Sequence, residues 1–177
     1  MGSLAGNLMA RWAAVEAADP EFAAAVRAKF AAHVYKVMAT IRADGSPRVS
    51  DIEVTFSDGD VWFGSMPGAR KLADLTRDPR LALHCAPDDP PPDPKLWSGD
   101  AKLSGRAVEV NDPERLKSLG AGGDDAASGS LFRVDISEVV QIRVGVPPDH
   151  LARDALDAGG RHQASQERLS RGFAWRP

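Results

Sequence analysis

Short β-type segments joined by tight polar turns fill the middle of this chain, and they leave few folds open to it. Val34 to Ile41 is β-branched and apolar, as a strand requires. Arg42-Ala43-Asp44-Gly45-Ser46-Pro47 is a cluster of turn formers. Arg48 to Phe56 then alternates, with Ser50, Ile52, Val54 and Phe56 forming the core-facing set and Val49, Asp51, Glu53 and Thr55 the other. Ser57-Asp58-Gly59-Asp60 is a hairpin turn into a strand at Val61–Ser65. Further strands are expected at Arg80–Ala86, Asp100–Val110 and Leu131–Val144, the last one continuous or divided at Ser137. Gly105 inside its strand predicts a bulge or a close backbone approach. Consecutive hairpins build an antiparallel sheet, and six or so strands with few helices are best served by closure into a barrel, which removes exposed edges.

Helices flank these strands. Residues 5–32 are expected to hold two, the second opened by Asp19-Pro20-Glu21 as N-cap, N1 proline and acidic first turn. Phe22, Ala23, Val26 and Phe30 give that helix one apolar face. Ala69 to Arg77 is helical around Leu72 and Leu75 and is stopped by Asp78-Pro79, and a short helix follows Asn111-Asp112-Pro113-Glu114. Pro87 to Pro94 is a stiff exposed loop, and Gly120 to Ser130 reads as a mobile one. The last stretch, 148–177, reads as a helix at Leu151–Ala158 and a polar tail ending in Trp175-Arg176-Pro177. The 177 residues are expected to form a single domain without repeats, its barrel spanning about 33–145.

Composition narrows the function. A net charge of −3 argues against a nucleic-acid role built on phosphate neutralisation. The lone Cys85 excludes an intrachain disulfide, starves any cysteine-based metal site and suits a reducing cytoplasm. The four histidines are scattered, so no metal site is expected. No apolar run is long enough to span a bilayer. Only six of the 22 basic residues are lysine and alanine is abundant, which hints at a GC-rich bacterial genome.

Phe63-Gly64-Ser65-Met66-Pro67-Gly68-Ala69-Arg70-Lys71 carries the chemistry. A strand ends in a small hydroxyl residue, a Pro-Gly turn follows, and a helix opens with two adjacent cations. The first-turn N–H groups lack partners and the helix dipole favours an anion there. Arg70 and Lys71 add charge-assisted bonds to a phosphate. A hairpin about Ser57–Asp60 would set Ser65 near Ile52 and bring Arg48 to the same end as this turn. The alternative is that both first-turn cations are merely solvated.

The stretch Ala39 to Ala86, together with Leu103-Ser104-Gly105-Arg106-Ala107-Val108, resembles the FMN-binding split-barrel superfamily of pyridoxamine 5'-phosphate oxidases and flavin/deazaflavin oxidoreductases. The matching segments are Ala39-Thr40-Ile41-Arg42-Ala43-Asp44-Gly45-Ser46-Pro47, Val61-Trp62-Phe63-Gly64-Ser65, Ala69-Arg70-Lys71-Leu72-Ala73-Asp74-Leu75 and Asp78-Pro79-Arg80-Leu81-Ala82-Leu83. The resemblance covers about residues 30 to 145. It implies a mainly β fold with flanking helices, a six-stranded antiparallel split β-barrel, forming a homodimer with a cofactor site at the subunit interface. It implies further that Arg48, Val49 and Ser50 run along the flavin, that Gly64 and Ser65 border its ring and ribityl chain, and that Arg70 and Lys71 bind its phosphate. Ala69 and Met66-Pro67-Gly68 depart from the usual hydroxyl- and amide-rich turn, and the tail around Trp175-Arg176 does not match the oxidases' own.

The reading is therefore a cytoplasmic FMN-dependent oxidoreductase of unknown substrate, with no side chain marked as catalytic. Coenzyme F420 is the alternative cofactor, for whose acidic tail Arg42, Arg77 and Arg80 are available. A non-catalytic flavin- or haem-binding protein is the third reading, with His84 as axial candidate. Cys85 reads as a small buried hydrophobe, and Asp51 and Glu53 as a solvated face or dimer contact rather than an acid–base pair.

Overall fold

A computed structural model describes residues 8–89, 91–118 and 129–168. Helices α1 (Trp12–Ala18) and α2 (Pro20–Ala31) precede strands β1 (Tyr35–Ile41), β2 (Pro47–Glu53), β3 (Thr55–Ser57) and β4 (Asp60–Ser65). Helix α3 (Arg70–Arg77), β5 (Arg80–His84), β6 (Asp100–Val110), α4 (Pro113–Ser118), β7 (Ser130–Val144), β8 (His150–Asp157) and β9 (His162–Arg168) follow. The sheet is antiparallel throughout and runs β2-β1-β5-β6-β7-β4-β3, with β8 added to β7 and β9 to β8.

Local sequence explains the helices. Asp19 accepts the Phe22 backbone N–H at 2.9 Å and Pro20 occupies the first turn of α2. Phe22, Val26 and Phe30 lie four residues apart on one buried face. Phe30 and Trp12 both close on Phe56, at 5.5 and 4.8 Å between ring centroids. The core continues inside the sheet through Met38, Leu83, Leu103 and Val139, in register on neighbouring strands, and through Phe63 stacked on Phe132 at 5.1 Å. Burying each such side chain contributes roughly 1.5–3 kcal/mol.

The mainly β class expected from the sequence is the class observed, but among the described residues nine strands stand where six were expected. One extra strand comes from a break at Val54, which splits the long segment 48–56 into β2 and β3. The other two are a correction of the expected helix at Leu151–Ala158. Alanine and leucine favour a helix there, yet the backbone pairs along Glu138–Val144 of β7, whose edge would otherwise lie open. Gly160, at φ +75, turns the chain back into β9, where a polar tail was expected. The bulge at Gly105 is present: the register slips between Ser104 and Gly105, and a Cβ there would collide with the Asp135 carbonyl oxygen. Ser137 is the unpaired residue opposite that slip, so β7 bulges there and stays continuous. Residues 5–7, most of the stretch Gly120–Ser130, and Trp175-Arg176 lie outside the described residues.

The expected hairpin between 48–56 and 61–65 holds only in part. Its register is right for Thr55↔Trp62, Phe56↔Val61 and Ser57↔Asp60, and there the ladder ends. Beyond the break at Val54, residues Pro47 to Glu53 pair with β1 on one edge, and the other edge of β2 has no ladder to β4. Ser65 and Ile52 are therefore not ladder partners, and an unpaired seam opens between β2 and β4.

Candidate functional site

A cleft of about 430 Å³ occupies that seam. Asp51, Ile52 and Glu53 of β2 form one wall, and Trp62, Phe63 and Gly64 of β4 the other. Tyr35, Thr55, Met66, Lys71 and Leu131 complete it. The volume lies within the range of small-molecule and cofactor pockets, and the mixture of aromatic walls with a few polar groups is the usual composition of such sites.

Each wall is set by ordinary packing. Trp62 is anchored at its edge by a bond from Nε1 to the Ser57 carbonyl, 3.1 Å, and on its face by the Arg115 guanidinium, 4.6 Å from the ring centre. Arg115 is itself paired with Asp58 at 2.7 Å. Gly64 opens the cleft: a Cβ at this position would meet nothing within 4 Å. Gly68, at φ +74, makes the turn between β4 and α3. Ala69, the N-cap of α3, gives no side-chain cap, so the first-turn N–H groups are not taken up by one.

Helix α3 is clamped along β2 at two levels. Lys71 Nζ donates to the Asp51 carbonyl at 2.9 Å. One turn on, Asp74 is 3 % exposed and accepts from Thr40 Oγ1 at 3.0 Å and Arg48 Nε at 2.6 Å, both on Oδ2. Arg77 donates to Oδ1 of the same carboxylate at 3.4 Å and also reaches the Ile41 carbonyl. The hydrogen bond from Arg48 holds the Asp74 carboxyl below the usual carboxylate range, helped by Thr40 and Arg77 against the opposing effect of burial.

The expected site residues fall into three groups. Gly64 and Lys71 line the cleft. Ser65, between the cleft-lining Gly64 and Met66 in sequence, is 4 % exposed, and its Oγ is buried without a partner among the described residues. Arg70 is exposed on the first turn of α3, Arg48 is engaged by Asp74, Ser50 is half-buried and Val49 is exposed. Local reading missed Tyr35, Trp62 and Leu131, which only long-range closure brings to the cleft. It also missed Asp74, whose position between Leu72 and Leu75 on an apolar helix face was the available signal.

Other candidates are occupied. His84 Nδ1 faces the Cys85 carbonyl and Nε2 lies 3.3 Å from Asp100, so both ring nitrogens have partners. Cys85 is buried, and burial pushes its thiol up. Arg42 is bonded to Ser46 and Arg80 to Asp78, and Arg77 belongs to the Asp74 cluster. Asp51 and Glu53, two apart on the exposed face of β2, both belong to the cleft wall. Among the described residues no helix is long and apolar enough to cross a membrane.

The profile of the pyridoxamine 5'-phosphate oxidase family matches residues 22–143, more than half of the chain. The chain belongs to that family. Its match takes in α2, the strands that form both cleft walls, and α3 with its Arg70-Lys71 pair. Solved structures agree on the fold. PhzG from Burkholderia lata, in complex with tetrahydrophenazine-1-carboxylic acid, has a TM-score of 0.59 and 15 % identity over 88 % of this chain and 92 % of its own. A pyridoxamine 5'-phosphate oxidase-related, FMN-binding protein from Nostoc punctiforme has a TM-score of 0.58 and 10 % identity over 85 % and 96 %. A heme-binding protein from Mycobacterium smegmatis has a TM-score of 0.57 and 18 % identity over 77 % and 59 %. A search of curated protein sequences finds no match.

Proposed function

We propose that this chain is an oxidoreductase that binds FMN in the cleft between β2 and β4, with the phosphate on the first turn of α3. The observation that carries the reading is the arrangement at the end of β4. An open glycine, a buried unpartnered hydroxyl, an uncapped helix start and two first-turn cations stand within eight residues, Gly64 to Lys71. These groups fit a phosphorylated flavin: the ring needs the side-chain-free space at Gly64, and the phosphate needs donors and positive charge at Arg70 and Lys71. Bound there, a flavin would supply the hydride or electron transfer itself. The chain's part is to bind and orient it, with Trp62, Phe63 and Leu131 excluding water from one side.

A homodimer completes this reading. Tyr35 and Met66 line the cleft and are 62 % and 79 % exposed, and Val34 and Val49 are exposed elsewhere on the same strands and their approach. Large apolar side chains gathered at the mouth of a site suit a second copy that covers it. The open side of the cleft would then be closed by the partner, and the homodimer would carry two sites.

Titration of the purified protein with FMN, F420 and heme, followed by fluorescence or absorbance, tests the reading. FMN is expected to bind at micromolar concentration or tighter, and Arg70→Ala with Lys71→Ala to weaken it by at least about tenfold while the melting temperature holds. An unchanged affinity in that double variant would sink the assigned phosphate site. Preference for F420 would keep the site and change the cofactor.

A further inference from the structure

Arg48 and Asp74 form a charged cluster outside the cleft lining, on the elements that carry one cleft wall and the cationic start of α3. Arg48 is on β2, Asp74 on α3 and Thr40 on β1, so the cluster joins three elements at one buried carboxylate. Asp74 lies three residues after Lys71 and four after Arg70, and residues at those spacings are neighbours on a helix surface. Its bond therefore fixes the Arg48 head one helical turn from the cationic pair. The Arg48 side chain is 18 % exposed and is held through Nε. Both oxygens of Asp74 are in use, Oδ2 by Thr40 and Arg48 and Oδ1 by Arg77.

We propose that Asp74 is a positioning residue of the phosphate site, acting through Arg48. The inference rests on the FMN reading above and adds the group that prepares it. Two opposing effects decide its sign. A carboxylate near an anion site repels the phosphate. It also spares the protein the cost of ordering a long cationic side chain when the ligand arrives, and pre-ordering of that kind is a main source of affinity. The repulsion is muted because Arg48 and Arg77 already neutralise the carboxylate, leaving the cluster with a net positive charge. Pre-ordering therefore wins, and Asp74 strengthens phosphate binding although it is itself an anion.

The test compares FMN with riboflavin, which differs by the phosphate alone, on the wild-type protein, Asp74→Asn, Arg48→Ala and the double variant. Asn keeps the size of the side chain and one acceptor, so the fold is retained, as a melting curve checks. Wild type is expected to prefer FMN by more than about tenfold. In Asp74→Asn, FMN affinity should fall roughly fivefold and riboflavin affinity stay within about twofold. In the Arg48→Ala background the Asp74 substitution should add nothing further, because its route is removed. A general loosening of the barrel would instead weaken both ligands alike. Equal losses for both ligands, an unchanged FMN-to-riboflavin ratio, tighter FMN binding, or additive effects in the double variant would each overturn the proposal while leaving the FMN reading intact. A wild-type protein that binds riboflavin as well as FMN would overturn both.

Discussion

Among the described residues, two arginine–aspartate pairs bury their carboxylates, and they are built for different ends. Asp60, at the start of β4, is fully buried and both of its oxygens accept from the one guanidinium of Arg11. That pair ties the segment before α1 to the sheet, beside the backbone bridge between Ala10 and Ile136. Asp74 is nearly as buried, but three donors from β1, β2 and its own helix share it. The first pair is closed on itself, one guanidinium on one carboxylate. The second is distributed and sits one helical turn below the Arg70-Lys71 start of α3. A single partner makes a carboxylate a clasp; several partners make it a hub whose members can be tuned or lost one at a time.

The largest effect should come from breaking the clasp. Arg11→Ala removes the guanidinium that both Asp60 oxygens accept from, and breaking a buried pair on one side costs about 3–5 kcal/mol. For a chain of this length that lowers the melting temperature by roughly 6–20 °C. Binding of FMN in the cleft, whose lining includes neither Arg11 nor Asp60, should be unaffected below the new melting point. A variant that melts with the wild type would show that the pair is surface decoration.

Breaking the hub should cost less stability. Arg48→Ala leaves Asp74 with Thr40 and Arg77, so the carboxylate keeps donors on both oxygens. A loss of about 1–2 kcal/mol is expected, read from urea midpoints side by side with Arg11→Ala. If Arg48→Ala proved the more damaging of the two, the distinction between clasp and hub would fail.

The same contrast shows where sequence reading succeeds. The cap at Asp19, the turn at Ser57–Asp60 and the bulge at Gly105 are local, and each was legible from a few adjacent residues. So was the cationic start of α3 after an open Gly64. What escaped is decided by competition over distance. Nothing near Val54 reveals that the strand breaks there and that the hairpin ladder ends at Thr55. Nothing within Leu151–Ala158 reveals that the edge of β7 is waiting for it. The seam between β2 and β4, and with it the cleft walls Tyr35, Trp62 and Leu131, follows from the break at Val54 and from long-range closure. Asp74 is intermediate: an acid among apolar helix positions is a visible conflict between pattern and residue, and such conflicts gather at functional sites.

Acid sharpens the comparison by the smallest and most specific effect. The bond from Arg48 depresses the native pKa of Asp74 below its unfolded value. A depressed carboxyl stabilises the fold at pH values above the unfolded pKa, about 3.9, and that contribution disappears as pH falls through the native value. Removing Arg48 lets the native pKa rise toward the unfolded one, so less stabilisation remains to be titrated. The gap in urea midpoint between wild type and Arg48→Ala should therefore be constant from pH 7 to about 5 and close progressively below about 4. A gap that stayed constant down to pH 3 would mean that Arg48 supports the fold by packing its aliphatic stem, and the charge on Asp74 would then have no part in holding α3 against β2.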